Sequence, residues 1–472
     1  MLNNYLTQQI KRNFCYQPTE EQEKAIECIA DFLFKPENDT LLLLKGYAGT
    51  GKTTLIGAVV RTLSEMRAGY VLMASTGRAA KVFSRYSGFS AYTIHKKIYR
   101  QKSFSNNLDN FFLNDNLHKN TLFIVDEASM ISNDGLTGAS FGSGRLLDDL
   151  IEYVYAGQGC SLLIIGDDAQ LPPVGEDESP ALSAEVLRGY GLGVTECILT
   201  EVIRYSGRNG ILSNATMLRE RMAADDIYDL PVLTLKGYED ISSIPGSELI
   251  EAINSSYNEV GMDETMVICR SNKRAYLYNK GIRNTILYRE EELSTGDILM
   301  IAKNNYHWTA DCKEMDFIAN GDIAVVRRVR RTQEMYGFRF ADVVLSFPDH
   351  NDIEFELKIL LDTLHSDYPS LSKEDSDRLF NAVMEDYSDI TNKKERMKKL
   401  KEDSFYNALQ VKYAYAVTCH KAQGGQWKRI FIDQGYITED TFTPDYYRWL
   451  YTALTRASEK LYLVNWPESQ TE

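Results

Sequence analysis

The sequence predicts an α/β protein built from two parallel-sheet lobes, each carrying an insertion. Three observations carry that prediction. The apolar run LLLLK (Leu41–Lys45) passes through a glycine-rich turn into TLIGAVVRTL, which has helical apolar spacing. Strand, loop and helix in that order form the repeating unit of parallel sheets. Further buried-strand runs, YVLMAS, TLFIV and SLLIIG, follow in the first part of the chain. After about residue 205 the pattern begins again with TMVICR, AYAV, RIFID and KLYLV.

The bulk composition bounds what such a chain can do. Its 472 residues suffice for two or three domains with full cores. A hydrophobic share of 44% and a charged share of 25% place it among ordinary globular proteins. The net charge of -15 excludes a global basic footprint, so any groove for an anionic polymer is local. The opening MLNNYLTQQIKRNF lacks the apolar core of a signal peptide, and no apolar run reaches the roughly 18 residues of a membrane span. A cytoplasmic protein without a membrane segment is expected. Seven scattered Cys with no CxxC pair argue against a zinc site or a disulfide framework, and for reduced thiols.

Taken in order, YQPTEEQ precedes an amphipathic helix whose start is marked by Pro18-Thr19. The Gln22 amide can pair with both a donor and an acceptor on a base edge, which suits adenine. On its own, such a Gln is more often a surface residue. Gly46-Tyr47-Ala48-Gly49-Thr50-Gly51-Lys52-Thr53, followed by Thr54, fits GxxxxGK[ST] in its required strand–loop–helix context. Backbone N–H groups there converge on phosphate oxygens at a helix N-terminus. Lys52 is placed to reach the outer phosphates and Thr53 to hold magnesium. TLFIV runs into Asp126-Glu127. An acidic pair at a strand end suits metal holding by Asp126 and alignment of an attacking water by Glu127. SLLIIG leads into GDDAQLPP, where Gln170 is a neutral group able to sense a terminal phosphate.

Between these strands, IYRQKSFSNNLDNFFLNDNLHKN holds a turn-rich centre flanked by aromatics and reads as a short hairpin. Phe104, Phe111 and Phe112 either stack on a base pair or pack the hairpin onto its lobe. DGLTGASFGSGR (134–145) is a Gly/Ser-rich loop without an assignment. The second half has no second GxxxxGK and looks like a lobe that supplies arginines to a nucleotide site. Arg204 and Arg456 are the candidates. Residues 331–410 alternate first like a small β-barrel and then become helical. Their basic run, NKKERMKKLKED, is read as a solvated helix face. VTCHKAQGGQW (417–427) could hold a metal, a Cys nucleophile with a base, or a loop that grips phosphate. Adjacent Cys419 and His420 diverge in an extended chain, and no further ligands lie nearby.

GYAGTGKTT, LMASTGRAAK, AYTIH, IVDEASM, GDDAQLPP, LTEVIRYS, VICRSNK, VTCHKAQG and LYTALTRA resemble, in this order, the motifs of superfamily 1 helicases. They are most similar to the RecD-like branch and its phage Dda-type members. The resemblance runs from about Gln22 to Arg456. It implies two RecA-like lobes of a P-loop NTPase, with ATP and Mg2+ as cofactors and DNA unwinding driven by hydrolysis. The first lobe is expected at 1–95 and 121–204, with a hairpin, the family's duplex-splitting pin, at 96–120. The second lobe is expected at 205–330 and 411–472, with the barrel and helices at 331–410.

The resemblance also implies roles. Gly46 to Thr54, Gln22, Gln423 and Gly424 lie at the nucleotide. Lys52, Glu127, Gln170, Arg204 and Arg456 act on the terminal phosphate. Thr76, Arg78, Lys81, Thr93, His95, Asn272, Lys273, Thr418 and His420 contact single-stranded DNA, through backbone contacts that read no sequence. Cys419 has no role, and Lys421 belongs to the same coupling segment. Movement 5′-to-3′, a monomer, single-stranded DNA and its duplex junctions as substrates, and single-strand-binding or replication proteins as partners complete the expectation. The rival readings are a translocase that clears bound proteins, an RNA-acting helicase, and a P-loop switch without motor activity.

Overall fold

The computed structural model describes residues 2–34, 39–101, 111–135, 141–203, 209–310, 312, 314, 315, 317–437 and 442–472. Contacts divide the chain into two units. The first is Met1–Glu239 with Gln423–Gly425 and Glu439–Thr455; the second is Asp240–Ala422 with Gln426–Thr438 and Arg456–Glu472.

The first unit runs α1 (Leu2–Asn13), α2 (Glu20–Phe34), β1 (Thr40–Gly46), α3 (Lys52–Glu65), β2 (Gly69–Ala74), α4 (Gly77–Ser87), β3 (Ala91–Thr93) and α5 (Ile94–Ile98). It continues with β4 (Tyr99–Gln101), β5 (Phe111–Leu113), β6 (Thr121–Asp126), α6 (Leu146–Tyr155), β7 (Ser161–Gly166), α7 (Ala184–Gly189), β8 (Gly193–Leu199) and α8 (Gly210–Ala223). The second unit holds β9 (Ile241–Ile244), α9 (Leu249–Val260), β10 (Thr265–Cys269), α10 (Asn272–Gly281), β11 (Ile298–Ile301), β12 (Ile323–Met335), β13 (Phe338–Phe347) and β14 (Ile353–Leu360). Then come α11 (Lys373–Asp386), α12 (Lys393–Glu402), β15 (Leu409–Tyr413), β16 (Ala416–Thr418), α13 (Cys419–Ala422) and β17 (Trp427–Asp433). The chain returns to the first unit for α14 (Asp445–Leu454) and ends in the second with β18 (Ala457–Val464).

In the first unit β3-β2-β6-β7-β1-β8 form one parallel sheet. Leu41 to Leu44 on β1 are wholly buried. That is why the strand reads as an unbroken apolar run: helices cover both faces of a parallel sheet. Residues Leu55, Ile56, Val59 and Val60 of α3 and Ile26 and Ile29 of α2 fill that core. The second unit has its own parallel sheet, β16-β10-β17-β18-β9. Strands β11 to β15 close a barrel, and α11 and α12 pack on Phe338 and Phe340 at its end. The predicted fold class is therefore the one found: two RecA-like parallel-sheet lobes, a hairpin (β4 with β5) in the first, and a barrel with helices in the second.

The boundaries differ from those expected. Residues 205–239 lie in the first unit, where α8 packs on α14, and so do Gln423–Gly425 and Glu439–Thr455. The barrel starts at Ile298, because ILMI pairs with β12 and β15. A short apolar run fits a barrel stave as well as a buried parallel strand. Cys28 on α2 and Cys197 on β8 bring their sulfurs together where helix and strand pack. Among the described residues no helix is long and apolar enough to cross a membrane.

Candidate functional site

The phosphate loop joins β1 to α3. Gly49 and Gly51 have φ of 80° and 82°, a left-handed backbone that glycine adopts without strain. A Cβ on Gly51 would lie 2.6 Å from Gln22 Nε2. Gln22 itself is buried in the first turn of α2. Its Oε1 accepts from the Thr19 N–H (3.0 Å) and Thr19 Oγ1 accepts from the Gln22 N–H (3.4 Å), a reciprocal cap. Its Nε2 donates to the Thr50 carbonyl at 2.9 Å. The amide expected at adenine is thus engaged in bracing the loop. Lys52 opens α3 and donates to the carbonyls of Gly46 and Tyr47. Thr53 and Thr54 follow it, half-buried.

Strand β6 delivers Asp126 beside this loop. Burial and then the charge of Glu127 push its carboxyl up to about 7, against the pull of the Glu127 N–H and the Lys52 ammonium. Glu127 has φ 52° and ψ 43°, a left-handed conformation that side chains rarely adopt. Such strain clusters at functional sites. Strand β7 delivers Asp167, whose carboxyl burial raises while the charge of Lys52 opposes the rise. Gln170 is buried, and its Oε1 has no hydrogen-bond partner in the structure. Close-set acidic carboxyls, an ammonium that acts on two of them and an unsatisfied amide oxygen suit a triphosphate with its magnesium ion. Thr53 and Asp126 would supply hard oxygen ligands of the kind that Mg2+ takes.

Helix α14 also reaches this site. The Tyr451 hydroxyl accepts from the Ala48 N–H (2.9 Å) and donates to Asp167 Oδ2 (2.6 Å). Thr452 Oγ1 accepts from the Leu171 N–H (2.9 Å), and Gln423 Nε2 donates to the Leu171 carbonyl (2.8 Å). Arg448 donates to the Asp168 carbonyl. The motif LYTALTRA was legible, yet only its arginine drew a role. Tyr451 and Thr452 were missed because apolar spacing marks them as helix core. Of the two expected arginines, Arg204 lies outside the described residues. Arg456 is buried in the second unit, where its carbonyl accepts from the Trp427 N–H. Its charge also acts on Cys419, whose thiol burial nonetheless pushes up to about 12. A thiol so far from ionising is no nucleophile at neutral pH.

The strand-binding candidates fall in two groups. In the first unit Thr76 caps α4 by accepting from the Ala79 N–H (3.1 Å), and Arg78 and Lys81 lie on one face of that helix. Thr93 caps α5 in the same way, through the Lys96 N–H (3.2 Å). Gly424, with φ 73°, comes against this group: a Cβ there would lie 2.9 Å from Ala79 Cβ and 3.1 Å from Thr76 Oγ1. Gln423 and Gly424 therefore lie at Leu171 and α4. In the second unit Asn272 and Thr418 line one pocket with Lys412 and Lys421. Lys273 is exposed beside them, and His420 follows Thr418 on α13. Lys421 donates to Asn320 Oδ1 at 2.6 Å.

The hairpin resolves its phenylalanines. Phe111 is buried and Phe112 is 37% exposed, while Phe104 lies outside the described residues. Phe141, from the Gly/Ser-rich segment that the sequence left unassigned, sets its ring 4.9 Å from Phe111, 5.2 Å from Tyr99 and 4.8 Å from His95. The buried Asp149 accepts from the Tyr99 hydroxyl (2.6 Å) and the Ser143 N–H (3.0 Å). The hairpin is thus braced by its own lobe. Burial among these rings lowers His95 from 6.5 to about 4, so its imidazole is neutral at neutral pH. The unfolded chain takes up a proton near 6.5 and the folded chain does not, so stability falls as pH drops from about 6.5 toward 4. Denaturant melts of His95→Gln should lose part of that acid sensitivity; a pH profile unchanged from the parent would place the imidazole in water.

A family model described as an AAA domain matches residues 17–229, and one described as a UvrD-like helicase C-terminal domain matches 413–464. An uncharacterized protein of Acanthamoeba polyphaga mimivirus is 24% identical over 89% of this chain and 94% of its own length. The ATP-dependent DNA helicase dda of Enterobacteria phage T4 is 26% identical over 60% of each chain. The ATP-dependent RecD2 DNA helicase of Deinococcus radiodurans is 29% identical over 42% of this chain and 23% of that one. A solved Pif1 helicase from Bacteroides, in complex with ADP-AlF3 and ssDNA, matches 97% of this chain and 95% of that chain at 16% identity and a TM-score of 0.49.

Proposed function

We propose that this chain, which carries an AAA domain and a UvrD-like helicase C-terminal domain and resembles superfamily 1 helicases of the Dda and RecD-like type, is a DNA-stimulated ATP hydrolase that moves 5′-to-3′ on single-stranded DNA and opens duplexes. One observation carries the reading. The stretch from Thr418 to Gly424 starts among the strand-binding candidates of one unit and ends hydrogen-bonded to the loop after β7 in the other. A segment shared in this way can tie the grip on a strand to the state of a phosphate site.

In this reading the glycines and N–H groups of Gly46 to Thr54 cradle the phosphates, Lys52 neutralises the outer ones, and Thr53 and Asp126 hold Mg2+. The magnesium ion supplies charge neutralisation on the phosphate oxygens. Glu127 orients the attacking water and accepts its proton. Gln170, Arg204 and Arg456 stabilise charge on the transferring phosphate. Gln22 acts from behind the loop. Thr76, Arg78, Lys81, Thr93 and His95 grip the strand from one lobe, and Asn272, Lys273, Thr418 and His420 from the other. Local cations and hydroxyls account for a strand grip in a protein of net charge -15.

Steady-state ATP hydrolysis with and without single-stranded DNA tests the reading. Strong stimulation by DNA is expected, with weaker stimulation by single-stranded RNA; a rate indifferent to either polymer would overturn the motor. Duplexes with a 5′ or a 3′ tail then give polarity. Among the described residues Phe112 is the exposed phenylalanine on the hairpin, and stacking on a base is worth about 1–3 kcal/mol. Phe112→Ala should therefore reduce unwinding about ten-fold with DNA-stimulated hydrolysis kept, and equal loss of both would remove Phe112 from strand separation.

A further inference from the structure

We propose that Tyr451 makes the site discriminate nucleoside triphosphates from diphosphates. Its hydroxyl holds a phosphate-loop amide that a terminal phosphate must take from it. The proposal rests on the nucleotide reading of the loop given above. Tyr451 is 1% exposed on α14, a helix most of whose residues are buried. Packing therefore aims its hydroxyl. That oxygen accepts from the Ala48 N–H and donates to Asp167 Oδ2. Backbone N–H groups are what such loops offer to phosphate, and this one is engaged by a phenol.

The hydroxyl's second partner is also fixed by the sheet. Gly166 pairs with Lys45 on β1, so Asp167 follows where the phosphate loop leaves the sheet, at the loop whose Lys52 serves the outer phosphates in the reading above. A charged phosphate oxygen is about twice as strong an acceptor for an N–H as a neutral hydroxyl, so it wins the contest and loses affinity in winning. A diphosphate, one phosphate shorter, leaves the Tyr451 contacts in place. Displacement has a path out of the site. Thr452, the next residue, holds the Leu171 N–H, and α14 ends at Leu454, two residues before Arg456. The contacts that a third phosphate would displace are therefore held by α14 itself, and that helix is where the displacement is to be read.

Calorimetric binding of magnesium-ADP and of a magnesium-bound, non-hydrolysable ATP analogue tests this, with wild type and Tyr451→Phe. The variant keeps the ring and removes the competitor. The analogue should bind about two- to ten-fold tighter, the weight of one net hydrogen bond, while ADP stays within about two-fold. Equal shifts for both nucleotides, or a weakened analogue, would overturn the role. Amide hydrogen exchange of the wild-type protein needs no variant. The analogue should alter exchange across 445–456 and ADP should not; identical responses would again overturn it. If wild type binds neither nucleotide, the nucleotide reading of the loop falls and this inference with it. If both bind and the variant fails to separate them, only Tyr451 falls.

Discussion

Glu127→Gln should lower ATP hydrolysis by about 10²–10⁴-fold, the contribution of a positioned general base, and leave nucleotide binding intact. The side chain stands at the end of β6, directly after Asp126, in a left-handed backbone that aims it differently from its neighbour. The proposed reading gives the two carboxyls separate tasks. Asp126 is half-buried, and its own oxygen accepts from the Glu127 N–H at 2.8 Å, which holds the carboxyl in place for the metal that this reading assigns to it. The same reading leaves Glu127 to act on a water. Gln keeps the length of the side chain and its power to accept a hydrogen bond, but it cannot take a proton. Single-turnover hydrolysis, with binding measured in parallel, separates the two tasks. A variant retaining more than a tenth of wild-type turnover would assign the base elsewhere. A variant that no longer binds nucleotide would show that Glu127 shapes the site.

The phosphate loop and the two acidic strand ends were legible because each is local. Leu41 to Lys52 and Thr121 to Glu127 announce strand, turn and chemistry within about a dozen residues. The hairpin was legible for the same reason, through SNNLDN between aromatics. What stayed hidden depends on partners far apart in sequence. Ala48 meets Tyr451 at a separation of 403 residues, and Gln423 meets Leu171 at 252. Gln22 was read by the chemistry of its amide; its bonds to Thr19 and Thr50 were not legible, because a buried amide finds partners that only the fold brings near. The Gly/Ser-rich loop gave no local signal because Phe141 packs on Phe111, Tyr99 and His95, partners distant in sequence. The barrel edge at Ile298 was hidden because four apolar residues state burial and leave topology open.

Asp297→Ala should destabilise the second unit by about 3–5 kcal/mol, the usual loss when one partner of a buried ion pair is removed. Asp297 has no exposed surface. One oxygen accepts from Arg283 Nε (3.0 Å), Arg289 (2.6 Å) and the Tyr415 hydroxyl (2.9 Å), and the other from Arg283 (3.0 Å) and the Ser294 N–H (2.7 Å). Removing the carboxylate leaves the Arg283 guanidinium, itself 5% exposed, without its counter-charge. The position matters for function because of Tyr415. It immediately precedes β16, and β16 leads into Thr418 and His420. The carboxylate thus pins the start of the segment to which the proposed reading assigns a grip on the strand. Denaturant melts should show the loss. Hydrogen exchange should rise first at 414–421, and DNA affinity should weaken before ADP affinity does. Asp297→Asn keeps the shape and several acceptor contacts, so it should lie between the parent and the Ala variant. If the Asn and Ala variants are equally destabilised, charge is the whole of the contribution; if neither differs from the parent, the network does not hold this unit together and Thr418 is positioned by the sheet alone.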